Sequence, residues 1–315
     1  MRSARTSLLA AGVAAAAFVA PSSAVTIYGI NNLGESQFGP GGDQLIRFDS
    51  SNPLGTVVNI GRTGVATSGF SGLDFHSNGN LYGAVGFVGT GGNTANINNF
   101  YQLDINTGTA TLIGNMGLPA GFSVADLSFN PATGQMQALV NNATAGAGRI
   151  VRLYTVNVAT GAATLVGDIT GLPISPATDK LLVGLATAAD GTNYVHDLVA
   201  DRMFRLNGLA AQPLGSGTLG FNTNFSQGMT IDHAGDGTWY LASLEVTAGG
   251  ALDGSRIRTV SFVDGSANTI LATWPTGPGN TALPRYELGD IAAVIPEPAA
   301  VMLLAPLALL RRRRG

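Results

Sequence analysis

The sequence contains no cysteine, so disulfide bonds are excluded and stability has to come from burial and hydrogen bonding. Charged residues make up only 11% of the chain, whereas glycine accounts for 44 of its 315 residues. Few charges and many glycines are typical of an all-β chain with tight turns. The apolar fraction of 45% is too high for intrinsic disorder.

Basic residues are scarce in the central part of the chain, which contains a single lysine, Lys180. Six of the 16 basic residues are Arg2, Arg5 and the cluster Arg311–Arg314, which leaves ten against 19 acidic residues. The net charge between the two ends is therefore about −9, compared with −3 for the whole chain. A negatively charged central region lacks the positive surface that nucleic acids or anionic lipids require, so we expect no nucleic-acid partner.

The first 24 residues have the composition of a secretory leader. Arg2 and Arg5 precede the apolar run Leu8–Ala20. Small residues, Ala24 and Ser22, occupy the first and third positions before the predicted cleavage site. This order predicts a signal peptide over residues 1–24 that signal peptidase removes after Ala24. The alternative is an N-terminal membrane anchor that stays on the protein.

The last 21 residues combine a rigid motif, an apolar run and a basic cluster. Pro296, Glu297 and Pro298 precede the run Ala299–Leu310. The basic cluster then consists of Arg311, Arg312, Arg313 and Arg314. Twelve residues form a helix of about 18 Å, shorter than the hydrocarbon core of about 30 Å. We therefore predict a marginal transmembrane helix with its arginines on the cytoplasmic side; a buried or amphipathic terminal helix is the alternative.

This tail resembles the PEP-CTERM sorting signal of Gram-negative bacteria that produce exopolysaccharide. The resemblance implies that residues 295–315 form a sorting segment that an exosortase-type membrane protease cleaves near Pro296–Pro298. It also implies transient anchoring in the inner membrane, followed by delivery to the cell envelope or the extracellular matrix.

Between the two ends, a unit of about 50 to 55 residues recurs, and each unit contains four short strands. The first strands are Phe70–Phe75, Val124–Phe129, Leu181–Thr187, Ser226–Ile231 and Glu287–Ala293. Turns rich in Asn, Asp, Thr and Gly separate the strands, as in β-hairpins. Four-stranded repeats of this kind predict an all-β fold, a β-propeller of about five blades over residues 25–294. The unit Tyr101–Gly114 also resembles units of secreted bacterial propellers of unknown function.

One of the five blades is split between the two ends of the body. Its inner strand is predicted at Glu287–Ala293, and its other strands at Thr26–Asn31, Leu45–Ser50 and Gly55–Gly61. Pairing of the first and last strands would close the ring and leave no long open edge.

Carboxylates on the inner strands are the main candidates for a site. Asp74, Asp126 and Asp290 are all predicted near the central axis. Inner-strand carboxylates bind divalent cations in some propeller enzymes, including lactonase-like ones, and calcium prefers oxygen ligands. The alternative is a structural role in which the three carboxylates accept hydrogen bonds from backbone amides near the axis.

Histidines and aromatic residues give weaker signals. The histidines are His76, His196 and His233, and their spacing matches no contiguous zinc motif. The aromatic candidates for a sugar-stacking face are Trp239, Trp274, Tyr82 and Tyr101, for which packing between blades is the other interpretation. No nucleophile elbow, phosphate-binding loop or zinc-protease motif is present.

The sequence thus favours an exported, non-catalytic propeller of the envelope or matrix that binds polysaccharide or another protein. A divalent-cation-dependent hydrolase or lactonase with its site on the axis is the competing hypothesis, and a purely structural matrix protein is a third.

Overall fold

Within the part of the chain that the structure describes, the body consists of twenty strands and one short helix. The computed structural model describes residues 24–33, 41–66, 69–86, 96–142, 148–172, 181–215, 218–275 and 286–295. Almost all of the predicted leader and sorting segment lies outside these residues. No helix within the described ranges is long and apolar enough to cross a membrane.

In chain order the strands are β1 (Thr26–Asn31), β2 (Gln44–Asp49), β3 (Val58–Arg62), β4 (Phe70–Phe75), β5 (Leu81–Val85), β6 (Asn99–Leu103), β7 (Ala110–Asn115), β8 (Phe122–Asn130), β9 (Gln135–Asn142), β10 (Val151–Val156), β11 (Ala163–Asp168), β12 (Leu182–Thr187), β13 (Asn193–Asp197), β14 (Arg202–Asn207), β15 (Ala210–Pro213), β16 (Asn222–Ile231), β17 (Trp239–Val246), β18 (Leu252–Val260), β19 (Ala267–Trp274) and β20 (Leu288–Ala293). The helix α1 (Pro53–Thr56) lies between β2 and β3. The predicted all-β class is confirmed.

The strands form five antiparallel sheets of four strands each. Blade 1 has the order β20-β1-β2-β3, and blades 2 to 5 each contain four consecutive strands, from β4–β7 to β16–β19. The inner strands contact one another in the ring order β20, β4, β8, β12, β16 and back to β20. The predicted five-bladed propeller is therefore confirmed.

The ring closes through the pairing of the first and last strands. β1 pairs with β20 in antiparallel register, with Ile27 opposite Ala293 and Gly29 opposite Ile291. The other edge of β1 pairs with β2, so the N-terminal strand is the second strand of blade 1. This is the predicted split blade.

Five apolar cores lie at the five interfaces between blades. Each core combines residues of two neighbouring blades; the core between blades 5 and 1, for example, contains Trp274 of β19 and Phe48 of β2. Because each blade buries both of its faces, its strands are apolar on both sides. This arrangement contributes to the positive mean hydropathy of the whole chain, which is +0.25.

The outer strand of blade 4 differs from the sequence-based prediction. We expected it at residues 214–220, but β15 occupies Ala210–Pro213. The turn closes directly after β14 because Gly208, at φ +60°, takes a left-handed conformation. Pro213 then ends an edge strand, where its missing N–H costs no ladder bond. In blade 1, α1 similarly delays the outer strand, which begins at Val58 and not at Gly55.

The inner strands run side by side in the same direction. Equivalent positions of neighbouring strands are in contact: Gly72 faces Asp126, Gly184 faces Met229, and Gly228 faces Asp290. A β-carbon at Gly228 would lie 2.5 Å from the Cα of Asp290, so only glycine fits there. The ring consequently has two different faces. The entry face is the one at which the inner strands begin, and the exit face is the one at which they end.

Candidate functional site

A cavity of about 450 Å³ occupies the axis at the entry face. Every blade contributes at least one residue of its inner strand to the wall, including Ser71, Ala125, Val183, Gln227 and Gly289. Phe122, Val124 and Leu181 add apolar surface, and Asn141, Asn142 and Arg149 of the β9–β10 hairpin complete one side. We call this space the axial cavity.

A backbone irregularity places the lining residue in four of the five blades, whereas Gln227 of blade 5 is itself paired with Ser243. In four inner strands a single residue is left out of the pairing register, namely Ser71, Ala125, Val183 or Gly289. In blade 5 the register shifts between Thr223 and Gln227. Such β-bulges bend a strand and redirect side chains, and they are common beside functional sites. Because the redirected side chains are mostly small, the axis stays open at this end.

Two buried amide side chains in the wall have acceptor oxygens without a partner. Gln227 is 2% exposed, and its Nε2 donates to the carbonyl of Asn224 at 2.5 Å, while its Oε1 has no partner. Asn141 is 6% exposed, and its Nδ2 donates to the carbonyl of Leu182 at 2.7 Å, while its Oδ1 has no partner. An unsatisfied buried acceptor costs about 1–3 kcal/mol. Both oxygens are themselves buried, so they lie just behind the accessible surface of the cavity wall.

His196 is fully buried on β13, and neither ring nitrogen has a hydrogen-bond partner that meets geometric criteria. Burial lowers the pKa of His196 to about 3, an effect that the neighbouring Gln227 side chain opposes only in part. The ring is therefore neutral at physiological pH. His196 is not one of the residues that line the cavity, and its ring lies beside the side chain of the lining residue Gln227.

Two carboxyl groups lie just beyond the cavity. Asp126 and Asp290 directly follow the lining residues Ala125 and Gly289. They therefore lie about 3.3 Å, the rise of one residue in a strand, further along the axis. Each carboxyl accepts the amide of its own next residue and one amide of the next blade. Asp126 accepts from Leu185 of blade 4 at 2.5 Å. Asp290 accepts from Leu73 of blade 2.

The third predicted carboxylate, Asp74, bonds in the same manner but closer to the exit face. Its Oδ2 accepts the amide of Phe129 in blade 3 at 2.7 Å, and its Oδ1 accepts the amide of Phe75 at 2.8 Å. Asp74, Asp126 and Asp290 therefore each hold two inner strands together. The interpretation as acceptors of backbone amides near the axis is confirmed by these contacts.

Burial raises the pKa of all three carboxyls. The pKa of Asp74 rises to about 7, because desolvation outweighs the hydrogen bonds from Phe129 and Phe75. Desolvation also raises the pKa of Asp126 and of Asp290 well above the usual value. The two side chains hydrogen-bond to each other, and the Asp126 charge further raises the pKa of Asp290. Burial therefore favours the protonated form of both carboxyls.

Within the described part of the chain, no three His, Cys, Asp or Glu side chains are grouped so that they could hold a metal ion. Both oxygens of Asp74, Asp126 and Asp290 are engaged by backbone amides. A calcium site at these residues, and the hydrolase that it would serve, stays a prediction that these contacts do not favour.

The remaining candidates have structural surroundings. His76 accepts the amide of Asn78 through Nδ1 at 3.2 Å, so it stabilises a turn. The four aromatic candidates, Trp239, Trp274, Tyr82 and Tyr101, are 0–5% exposed and lie in the cores between blades. The prediction of a sugar-stacking face at these residues is therefore wrong, because their rings already pack on other side chains.

Of the predicted processing sites, only Ala24 lies in the described residues. It is exposed, and the next residue, Val25, is buried with its amide donating to Ser50 Oγ at 3.1 Å. Pro296, Glu297, Pro298 and Arg311–Arg314 lie outside them.

The sequence reasoning missed the axial cavity and its two amides. Gln227 was part of a recognised inner strand, but alternation of apolar residues does not reveal which residue a bulge redirects. No short motif marks Asn141.

No family model and no curated protein matches this chain. Among solved structures, it resembles a calcium-binding regucalcin from Agrobacterium tumefaciens at 17% identity and a TM-score of 0.40, with 72% of this chain and 66% of that one covered. It also resembles a Bacteroides caccae protein of unknown function at 7% identity and a TM-score of 0.41, with coverage of 87% and 100%. A nidogen/laminin complex matches at 9% identity and a TM-score of 0.44, also with coverage of 87% and 100%. The chain thus spans just under two thirds of the regucalcin, and identities this low carry nothing about activity.

Proposed function

We propose that the protein is an exported, non-catalytic propeller that binds a small neutral carbohydrate unit, such as the end of a polysaccharide chain, in the axial cavity. The observation that carries the proposal is the axial cavity itself, which has mostly apolar walls and includes the amide side chains of Gln227 and Asn141 in its lining.

The size and lining of the cavity support a ligand of this class. Ligand sites typically have volumes of about 300–1,000 Å³, with mostly apolar walls and a few well-placed polar groups. A sugar ring offers an apolar C–H face to Phe122 and Val124 and hydroxyl groups to the polar side chains of the lining.

The lining does not favour catalysis. No described lining residue is a carboxylate, a histidine, a cysteine or a lysine. The Ser71 hydroxyl donates to the carbonyl of Val124 at 3.1 Å, and no base lies beside it among the lining residues. General acid–base and nucleophilic catalysis both require such groups within hydrogen-bond reach of the substrate.

We expect neutral oligosaccharides from the host's own exopolysaccharide to bind to the purified protein in calorimetric titrations. Gln227→Leu removes an acceptor and should weaken binding at least tenfold, because a site built to bond a hydroxyl loses affinity when the bond is lost. Gln137→Leu is the control, since Gln137 is also a buried amide but contacts Thr187 away from the cavity. The proposal fails if no neutral glycan binds, or if Gln227→Leu binds as tightly as Gln137→Leu.

Export and sorting are the second part of the proposed function. Signal peptidase would cut after the exposed Ala24, and the exosortase-type protease would cut near Pro296–Pro298 after transient anchoring. Mass spectrometry of the protein from its own host should find a mature N-terminus at Val25 and no Arg311–Arg314. An intact arginine tail on protein outside the cell would contradict this itinerary.

A further inference from the structure

Both ends of the described body leave from the exit face. β20 runs from Leu288 at the entry face to Ala293 at the exit face. Ile295 then packs against two cores, the one between blades 1 and 2 and the one between blades 2 and 3. β1 is antiparallel to β20, so Ile27 lies opposite Ala293 at the exit face. The predicted leader and sorting segment thus join the same face, whereas the axial cavity opens on the other.

The connection to the predicted membrane segment is very short. Only Pro296, Glu297 and Pro298 separate Ile295 from the apolar run that begins at Ala299. Three residues reach about 10 Å at most when fully extended, and proline restricts the backbone further. The inner strand β8 has nine residues, which gives the ring a depth of about 30 Å. A body of that depth cannot turn over on so short a connection.

The described turns of the exit face are acidic, and their exposed large apolar side chains are Leu54 and Val263. These turns carry the exposed carboxylates Asp104, Asp190, Asp236 and Asp264, and none of them carries a lysine or an arginine. Hydrogen bonds within the turns lower the pKa of all four, so they stay ionised. At a separation of one Debye length, about 8–10 Å, an anionic bilayer repels such a face.

We propose that the anchored protein stands with its exit face toward the membrane and its axial cavity facing outward, held there by the three-residue connection alone. This inference rests on the anchoring part of the proposed function. The cavity is then open to polymer outside the membrane while the chain is still attached. Cleavage of the connection releases the body, because the acidic exit face does not adhere.

The absence of cysteine allows a direct test with single-cysteine variants of the full chain. Ala120→Cys and Thr133→Cys change exposed residues on the two sides of β8, at the entry and exit faces respectively. Each variant, labelled with a fluorophore, is reconstituted into vesicles of neutral and anionic phospholipid that contain a headgroup quencher. Retention of the leader does not alter the expectation, because it joins the same face.

We expect the label at residue 133 to be quenched at least threefold more strongly than the label at residue 120. A variant in which a stop codon replaces Pro296, and which also lacks residues 1–24, should not float with the vesicles. Equal quenching of the two labels, or stronger quenching at residue 120, would overturn the orientation but leave sugar binding untouched. Failure of the full chain to float would overturn the anchoring and this inference together, whereas flotation of the truncated body would show that its surface adheres by itself.

Discussion

Asp290→Ala is expected to lower the free energy of unfolding by about 3–5 kcal/mol, more than any surface substitution in this chain. The carboxyl of Asp290 accepts the amides of Leu73 and Ile291 and is fully buried. Alanine leaves both amides without a partner, at about 1–3 kcal/mol each, and removes the group to which Asp126 is hydrogen-bonded. Denaturant unfolding of the purified protein measures the loss.

Two further variants show whether the loss arises from the hydrogen bonds. Asp290→Asn keeps one acceptor oxygen, so we expect about half of the loss. Asp168→Ala removes an exposed carboxylate that pairs with Arg152 on the surface, and it should cost less than about 1 kcal/mol. If Asp290→Ala costs no more than Asp168→Ala, the buried carboxyl does not hold the blades together.

The stability of the protein is expected to fall as the pH rises above about 6.5. Asp74, Asp126 and Asp290 have pKa values in the folded protein above those of the unfolded chain. The folded state therefore holds protons that the unfolded state has released, and linkage makes stability decrease with rising pH. One retained proton corresponds to about 1.4 kcal/mol per pH unit. We expect stability to decrease between pH 6.5 and 8.5, and the part of this loss that comes from Asp74, with its pKa of about 7, to be complete by about pH 8.

Two histidines determine the pH above which the stability begins to fall. Burial lowers the pKa of His196 to about 3 and also lowers the pKa of His233. Between about pH 4 and 6.5 the unfolded chain protonates both rings, which makes stability rise with pH and offsets the effect of the carboxyls. Above pH 6.5 the histidines are neutral in both states, so the effect of the carboxyls remains alone.

Unfolding free energies measured at half-unit steps from pH 5 to 9 test this prediction. Asp74→Asn should flatten the part of the curve near pH 7, because the pKa of Asp74 is about 7. Asp126→Asn should reduce the slope at higher pH. A wild-type stability that stays constant or rises from pH 6.5 to 8.5 would contradict protonated carboxyls on the axis.

Much of the architecture was predictable because it depends on local patterns. Gly79, Gly108, Gly134 and Gly161 all have positive φ values at the turns where the repeat was recognised. The strands between those turns are apolar on both sides, as burial between neighbouring blades requires. Even the split blade followed from the sequence, because Thr26–Asn31 repeats the pattern of a second strand and Glu287–Ala293 that of a first strand.

Two local features of the fold were not predictable from these patterns. The outer strand of blade 4 follows a turn at Gly208, although residues 214–220 look more like the outer strands of the other blades. The tryptophans were open to two interpretations in the sequence, as sugar platforms or as core residues. Trp239 and Trp274 lie in cores because a neighbouring blade covers each of them. The sequence of a single strand does not show which of its residues another blade will cover.

The sequence alone determined the repeat, the number of blades, the closing of the ring and the candidates for the axial carboxyls. Only the tertiary structure decided what lies on the axis. A bulge moves one residue of each of four inner strands into the cavity. Strands distant in the sequence have to converge before Gln227 and Asn141 share a wall. The pKa of Asp290 likewise depends on burial and on Asp126, 164 positions away in the chain. Local propensity acts over a few residues, whereas desolvation and enclosure arise only when the complete ring excludes water.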